Sequence, residues 1–215
     1  LCADAIAEYK KGELDIYAAF AAPSSLEKYA DYIDPELFDS CHDGKFHTLD
    51  EALAGKICDT KASQGIFIIA KMPDNIFKES SIKSNGRYLV LDNVQDPGNL
   101  GTILRTADAV GADGVILSNG CCDLYNPKVV RATMGSLFRL SIYVCGDFVR
   151  LCAMFDKLGV KTMAAVVDSD AVSVESADYS GCCAVVIGNE GSGIPKEHVR
   201  LCKERITIRM SGNAN

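Results

Sequence analysis

From Arg87 onward, short apolar runs alternate with amphipathic stretches of about a dozen residues. "RYLVLDNV" leads to "GNLGTILRTADAVG", "GVILS" to "NPKVVRATMGSLF", and "LSIYV" to "DFVRLCAMFDKLG". After these come "VKTMAAVV", "CCAVVIG", "PKEHVRLC" and "RITIRM". Strands separated by helices pair in parallel, because a parallel neighbour is reached only through a long crossover. The pattern therefore predicts an α/β domain over residues 87–215, a parallel sheet flanked by helices. Pro127 suits the first turn of its helix. In open parallel sheets ligands bind beyond the carboxyl ends of the strands. The loops after strands are thus the places to look for chemistry.

Residues 1–72 read differently. A helix over residues 1–10 precedes the strand "LDIYAAFAAP", which Pro23 ends. Ser24 or Ser25 is expected to cap the next helix. In "TLDEALAGKIC" Thr48 is expected to cap, with Glu51 three residues on as a capping box. "GIFIIAKMP" reads as a short strand, completing a small α/β domain. Residues 73–86, polar and rich in turn formers, read as a linker. The chain opens on Leu1 in what reads as a helix, so the natural polypeptide is expected to begin earlier.

Net charge is −7, which disfavours broad, nonspecific nucleic-acid binding but leaves room for a local basic patch. All eight arginines lie from Arg87 onward, and residues 1–72 carry most of the acidic excess. The ten cysteines show no C-x-x-C spacing, and Cys121-Cys122 and Cys182-Cys183 are adjacent pairs. Neither a metal site nor a disulfide framework fits. Free thiols packed among apolar residues fit a reducing cytoplasm. No apolar run is as long as a membrane span. His42, His47 and His198 lack metal spacing, and His198 reads as structural. "DSD" (168–170) reads as a turn.

Three loops stand out. "GNEGSG" is neither G-x-G-x-x-G nor a P-loop. It is either a glycine-rich turn or a place where backbone must close on a ligand. In "DPGNLGTILRTA", Asn99 sits where a side-chain oxygen can cap a helix. Arg105 is either a salt-bridging surface residue or a phosphate ligand. Lys128, Arg131 and Arg139 cluster near one helix and are either a solvated face or a phosphate-tracking patch.

Together these stretches resemble the signature motifs of the SpoU/TrmH family of RNA ribose methyltransferases. "NLGTILRTADAVGADGVIL" resembles the first motif, "VVIGNEGSGI" the second, and "ITIRMSGNAN" the start of the third. "YNPKVVRATMGSLFRL" resembles the segment between the first two. The likeness covers residues 87–215. More loosely, residues 1–72 resemble the small RNA-binding domain often fused in front, which shares a fold with certain ribosomal proteins.

The resemblance implies a SPOUT parallel-sheet domain with a C-terminal trefoil knot, a homodimer, and S-adenosylmethionine as cofactor. It implies catalytic roles for Asn99, Arg105 and Glu190. It implies cofactor contacts from Gly188, Asn189, Gly191, Ile208 and Met210, and RNA contacts from Lys128, Arg131 and Arg139. Glu190 would orient the loop or pair with Arg105. The third motif of the family continues past Asn215, so the polypeptide is expected to do so too. The implied activity is methylation of a ribose 2′-hydroxyl, with 23S ribosomal RNA as leading substrate. A tRNA substrate and a binding module without catalysis remain alternatives. A nicotinamide-linked dehydrogenase is a distant one, lacking its fingerprint.

Overall fold

A computed structural model describes residues 1–39, 44–57 and 64–209. They fall into two compact units, Leu1–Asp74 and Asn75–Asn215.

The first unit runs α1 (Cys2–Lys11), β1 (Ile16–Ala21), α2 (Pro23–Lys28), α3 (Glu36–Asp39), β2 (Phe46–Thr48), α4 (Glu51–Ile57) and β3 (Ile66–Ala70). In its sheet β1 lies between β2, parallel to it, and β3, antiparallel. Ile16, Ala19, Ala21 and Phe46 are buried, and the rings of Tyr9 and Phe38 pack on Phe46. The capping differs from expectation. Asp50, not Thr48, caps α4 by accepting from the N–H groups of Ala52 and Leu53. Thr48 is taken up in β2. Glu51 accepts the N–H of Ser24 at 2.9 Å, so it serves the start of α2, which has no side-chain cap of its own.

The second unit begins inside the segment read as a linker. Ile76 bridges Val144, Asn75 Nδ2 donates to the Tyr125 hydroxyl at 2.7 Å, and Glu79–Ser81 form a 3₁₀ turn. Phe77 sets its ring edgewise on Tyr143 and Phe155. One large aromatic ring with somewhere to bury it outweighs the polarity of its neighbours.

Next come β4 (Arg87–Leu91), α5 (Pro97–Ala109), β5 (Gly114–Ser118), α6 (Pro127–Ala132), α7 (Ser136–Arg139), β6 (Ile142–Cys145) and α8 (Phe148–Lys157). The unit continues with β7 (Lys161–Ala165), β8 (Val172–Ser173), β9 (Cys183–Ile187), α9 (Lys196–Val199) and β10 (Glu204–Thr207). The strands form one sheet in the order β6-β5-β4-β9-β7-β10-β8, with every pairing parallel. β8, only two residues in a polar stretch, escaped the sequence pattern. Alternate residues feed two cores. Tyr88, Val90, Ala184 and Val186 pack with α8, whose buried Phe148, Leu151, Cys152 and Phe155 form one stripe. Leu91, Val115 and Leu117 pack with Leu100, Leu104 and Ala107 of α5.

The expected single helix after Asn126 is two. Met134 (φ 50°) and Gly135 (φ 89°) take left-handed backbone and break it between α6 and α7. α6 packs close on α5 at Gly101, where a Cβ would lie 2.3 Å from that of Ala132. The strand order then locates the crevice. From β4 the chain moves outward through β5 to β6. It next returns to β7 on the other side, leaving a gap that β9 fills. The order reverses at β4, so the loops after β4 and β9 lie together at the switch point.

Candidate functional site

The loop after β9 is built around Asn189. Its backbone exchanges two hydrogen bonds with Gly193, at 3.1 and 2.9 Å. Its Oδ1 accepts from the N–H groups of Gly191 and Ser192 and from the Ser192 hydroxyl, each at 3.0 Å. Two of the three glycines are demanded by this closure. A Cβ on Gly188 would stand 2.3 Å from the carbonyl carbon of Gly193, and Gly193 has φ +68°. Gly191 has ordinary φ, and a Cβ there would meet only the side-chain oxygen of Asn189, at 3.7 Å. The fold alone does not explain that glycine.

The loop is fastened to the one after β4. Asn189 Nδ2 donates to the carbonyl of Asn93 at 2.9 Å. Glu190 accepts from Asn99 Nδ2 at 3.1 Å, and more weakly from the backbone N–H groups of Asp96 and Gln95 at 3.3 and 3.4 Å. Its own backbone N–H and these donors hold the Glu190 carboxyl below the usual carboxylate range. Asn99 is therefore not the helix cap. Asp96 caps α5, its Oδ1 accepting the Asn99 N–H at 2.8 Å. Because a carboxylate only accepts, the amide of Asn99 must turn its NH₂ to Glu190. Its Oδ1 is left without a partner among the described residues.

Two cavities flank the end of β9, and Ile187 lines both. One, of 270 Å³, lies between α5 and the loop, walled by Val94, Asn99, Thr102, Ile103, Gly188 and Glu190. The other, of 450 Å³, is apolar and is lined by Val167, Tyr179, Val185, Ile206 and Ile208 among others. Larger hollows of 740 and 610 Å³ lie along α8 and beside α9. Neither is lined by the loop residues Gly188–Gly193, so size does not locate this site.

The sequence candidates are thus partly brought together. Asn99, Gly188, Asn189, Glu190 and Gly191 meet at the two loops, and Ile208 lines the apolar cavity. Arg105 does not pair with Glu190. It is exposed on α5, lines neither cavity, and makes no hydrogen bond or ion pair among the described residues. Lys128 and Arg131 extend from α6 without ion-pair partners among the described residues. Arg139 instead holds Asp108 of α5 at 2.9 Å. Met210 lies outside the described residues. The "DSD" turn is present: Asp168 Oδ1 accepts the N–H of Asp170, and its other oxygen pairs with Arg205.

Sequence reading missed Asp92 and the partnership of His198. Asp92 is 3% exposed. It accepts from Ser118 Oγ at 3.0 Å and from His198 Nδ1 at 2.6 Å. A carboxylate ending an apolar strand was the available signal. The eight described cysteines are free thiols. Among the described residues no cluster could hold a metal, and no helix is long and apolar enough to cross a membrane.

Comparison with known proteins matches residues 86–215 to the SpoU rRNA Methylase family. The 23S rRNA (guanosine(2553)-2′-O)-methyltransferase RlmP of Bacillus subtilis is 34% identical over 171 residues, 78% of this chain and 65% of that protein. The human mitochondrial rRNA methyltransferase 3 is 43% identical over 88 residues, 39% of this chain and 21% of that protein. The chain thus spans less than two thirds of these curated relatives. An AdoMet-bound rRNA methyltransferase from Sinorhizobium meliloti superposes with a TM-score of 0.78 at 27% identity, covering 100% of this chain and 78% of that one.

Proposed function

The chain belongs to the SpoU rRNA methylase family, and on that footing we propose that it methylates a ribose 2′-hydroxyl of RNA using S-adenosylmethionine. The proposed substrate is 23S ribosomal RNA, the substrate in the name of the B. subtilis relative. The observation that carries the reading is the lock between Glu190 and Asn99 at the strand-order switch point, beside a loop whose Gly191 the fold does not require.

The residues present fit the cofactor. The apolar cavity ending at Ile206 and Ile208 suits an adenosine, and Gly188, Asn189 and Gly191 offer backbone that can close on it. When bound, S-adenosylmethionine supplies an activated methyl group on a sulfonium. The chain must then align a hydroxyl and manage its proton, and alignment alone is worth several kcal/mol. Asn99, fixed by Glu190, presents its Oδ1 as an acceptor for a ribose hydroxyl. Glu190 is a poor base, because its donors already stabilise the ionised form. Its role is to pin the two loops. Arg105 stays protonated. Its guanidinium, unpaired among the described residues, grips the target phosphate and steadies charge developing on the ribose oxygen. A phosphate oxygen or a water takes the proton.

Lys128 and Arg131 extend the phosphate track. Residues 1–72 form the substrate-binding domain of ribosomal-protein type, and residues 87–215 the methyltransferase domain. The methyltransferase domain is of the trefoil-knot type, a reading supported by β10 lying between the earlier strands β7 and β8. The working form is a homodimer. Free thiols suit the reducing cytoplasm.

The test is methyl transfer from labelled S-adenosylmethionine by the full-length protein to ribosomal RNA and to tRNA, with mapping of 2′-O-methyl sites. Label in 23S RNA supports the reading. Label in tRNA alone moves the substrate, and no label with either RNA, despite cofactor binding, favours a non-catalytic binding module.

A further inference from the structure

Both ends of the glycine loop are fastened to one residue. Asp92, directly after β4, donates its backbone N–H to the carbonyl of Ile187 at 2.8 Å, where the loop leaves β9. Its carboxylate meets Nδ1 of His198 at 2.6 Å, on α9, where the loop has ended. A carboxylate only accepts, so Nδ1 carries the proton. The same carboxylate accepts from Ser118 Oγ, and Ser118 Oγ accepts the N–H of Asn93 at 3.0 Å. The carbonyl of Asn93 takes the side chain of Asn189, the inner anchor of the loop. A continuous polar path therefore runs from α9 to the centre of the loop.

The imidazole is held for this task. It stacks on Phe148 with centroids 4.2 Å apart and planes 14° from parallel. Asp92 is too buried for water to replace the donor without rearrangement. His198 lines neither cavity beside the loop, so it has no place among the reacting atoms.

We propose that His198 is a positioning residue: by donating to Asp92 it fixes the far end of the Gly188–Gly193 loop and sets the affinity of that loop for S-adenosylmethionine. The inference rests on the methyltransferase reading for its ligand, but not for its geometry. Two variants of the full-length protein separate the ring from its hydrogen bond. His198→Phe keeps a ring to stack on Phe148 and removes the donor. His198→Asn gives up the stack and keeps an amide donor near the position of Nδ1.

For His198→Phe we expect faster amide exchange at Gly191 and Ser192 in the ligand-free protein. We also expect a Kd for S-adenosylmethionine raised roughly tenfold, about what one hydrogen bond to a charged group is worth. KM for the cofactor should rise in step while kcat stays within about twofold. His198→Asn should restore both exchange and affinity. The inference is overturned if His198→Phe leaves exchange and affinity unchanged, or if His198→Asn is impaired as much, since ring packing would then be the cause. Should the wild-type protein bind no S-adenosylmethionine, the proposed function falls, and the exchange comparison still decides whether His198 anchors the loop.

Discussion

Alanine placed at each glycine of the loop should separate what the fold needs from what the ligand needs. At Gly188 the new Cβ would press on backbone, the Gly193 carbonyl carbon at 2.3 Å and the Ile194 nitrogen at 2.4 Å. Relief requires opening the two hydrogen bonds between Asn189 and Gly193. At about 1 kcal/mol each, their loss is worth about 2 kcal/mol. Alanine returns about 0.4–1 kcal/mol by restricting the unfolded chain, so the net local destabilisation is about 1–1.6 kcal/mol. Gly193→Ala would place a side chain at φ +68°, costing about 1–2 kcal/mol. Gly191→Ala meets no such obstacle and should leave the loop as stable or firmer by about 0.4–1 kcal/mol. Urea unfolding with amide exchange across residues 189–193 measures the first quantity, and calorimetric titration of S-adenosylmethionine the second. All three variants should bind the cofactor more weakly, and Gly191→Ala alone should do so without loss of stability. A Gly191→Ala protein that binds like wild type would refute the argument that this glycine serves the ligand. A Gly188→Ala protein as stable as wild type would refute the steric reasoning.

Arg105→Ala should abolish methyl transfer and leave cofactor affinity within a few-fold, because the side chain lines neither cavity; equal loss of both in paired kinetic and calorimetric assays would move it into the cofactor site. Replacing Lys128 or Arg131 by alanine should lower the salt slope of RNA binding by roughly 0.7–0.9 each, whereas Lys161→Ala, whose cation is committed to Asp178 at 2.8 Å, should not; equal slopes in filter-binding assays would sink this division. Glu190 has a depressed carboxyl pKa, so the ties it makes are fully present above the usual glutamate range and are lost as pH falls through the folded value; carboxyl titration by NMR should place it below the usual glutamate range, and an ordinary value would remove the basis for treating it as a pin.

The parallel sheet was legible because periodicity is local. Apart from β8, the strands and helices of the second unit are written in stretches of about a dozen residues or fewer of apolar spacing, and the three loops stood out by composition. What failed was finer or more distant. Asp96 rather than Asn99 caps α5, and Asp50 rather than Thr48 caps α4. In each case several polar residues near the helix start were chemically eligible, and a one- to three-residue difference in backbone entry decided between them. The break at Met134–Gly135 sits inside an unbroken amphipathic pattern, and only the close approach of α6 to α5 at Gly101 reveals the tight packing there. The partners of Glu190 and His198 lie 91 and 106 residues away in the chain. No local pattern encodes such pairs; they follow from β9 being laid beside β4.

That pairing also bears on why a carboxylate stands in this glycine-rich loop. The start of α5 presents unpaired N–H groups and the positive end of a helix dipole. In dinucleotide-binding sheets such a helix start, at the same switch point, receives a pyrophosphate. Here the position is filled from within the chain: Glu190 takes the N–H of Asp96 and the amide of Asn99, and Asp96 takes the N–H of Asn99. A second anion brought there would meet two carboxylates. The arrangement therefore argues against a phosphate-bearing cofactor at the crevice and for one whose recognition is apolar and by backbone. S-adenosylmethionine carries no phosphate, and the apolar cavity on the other side of Ile187 lies away from Glu190 and Asp96. Under the proposed function the phosphates of RNA are met elsewhere: Arg105, Lys128 and Arg131 of α5 and α6, without ion-pair partners among the described residues, stand outside the loop lock rather than within it.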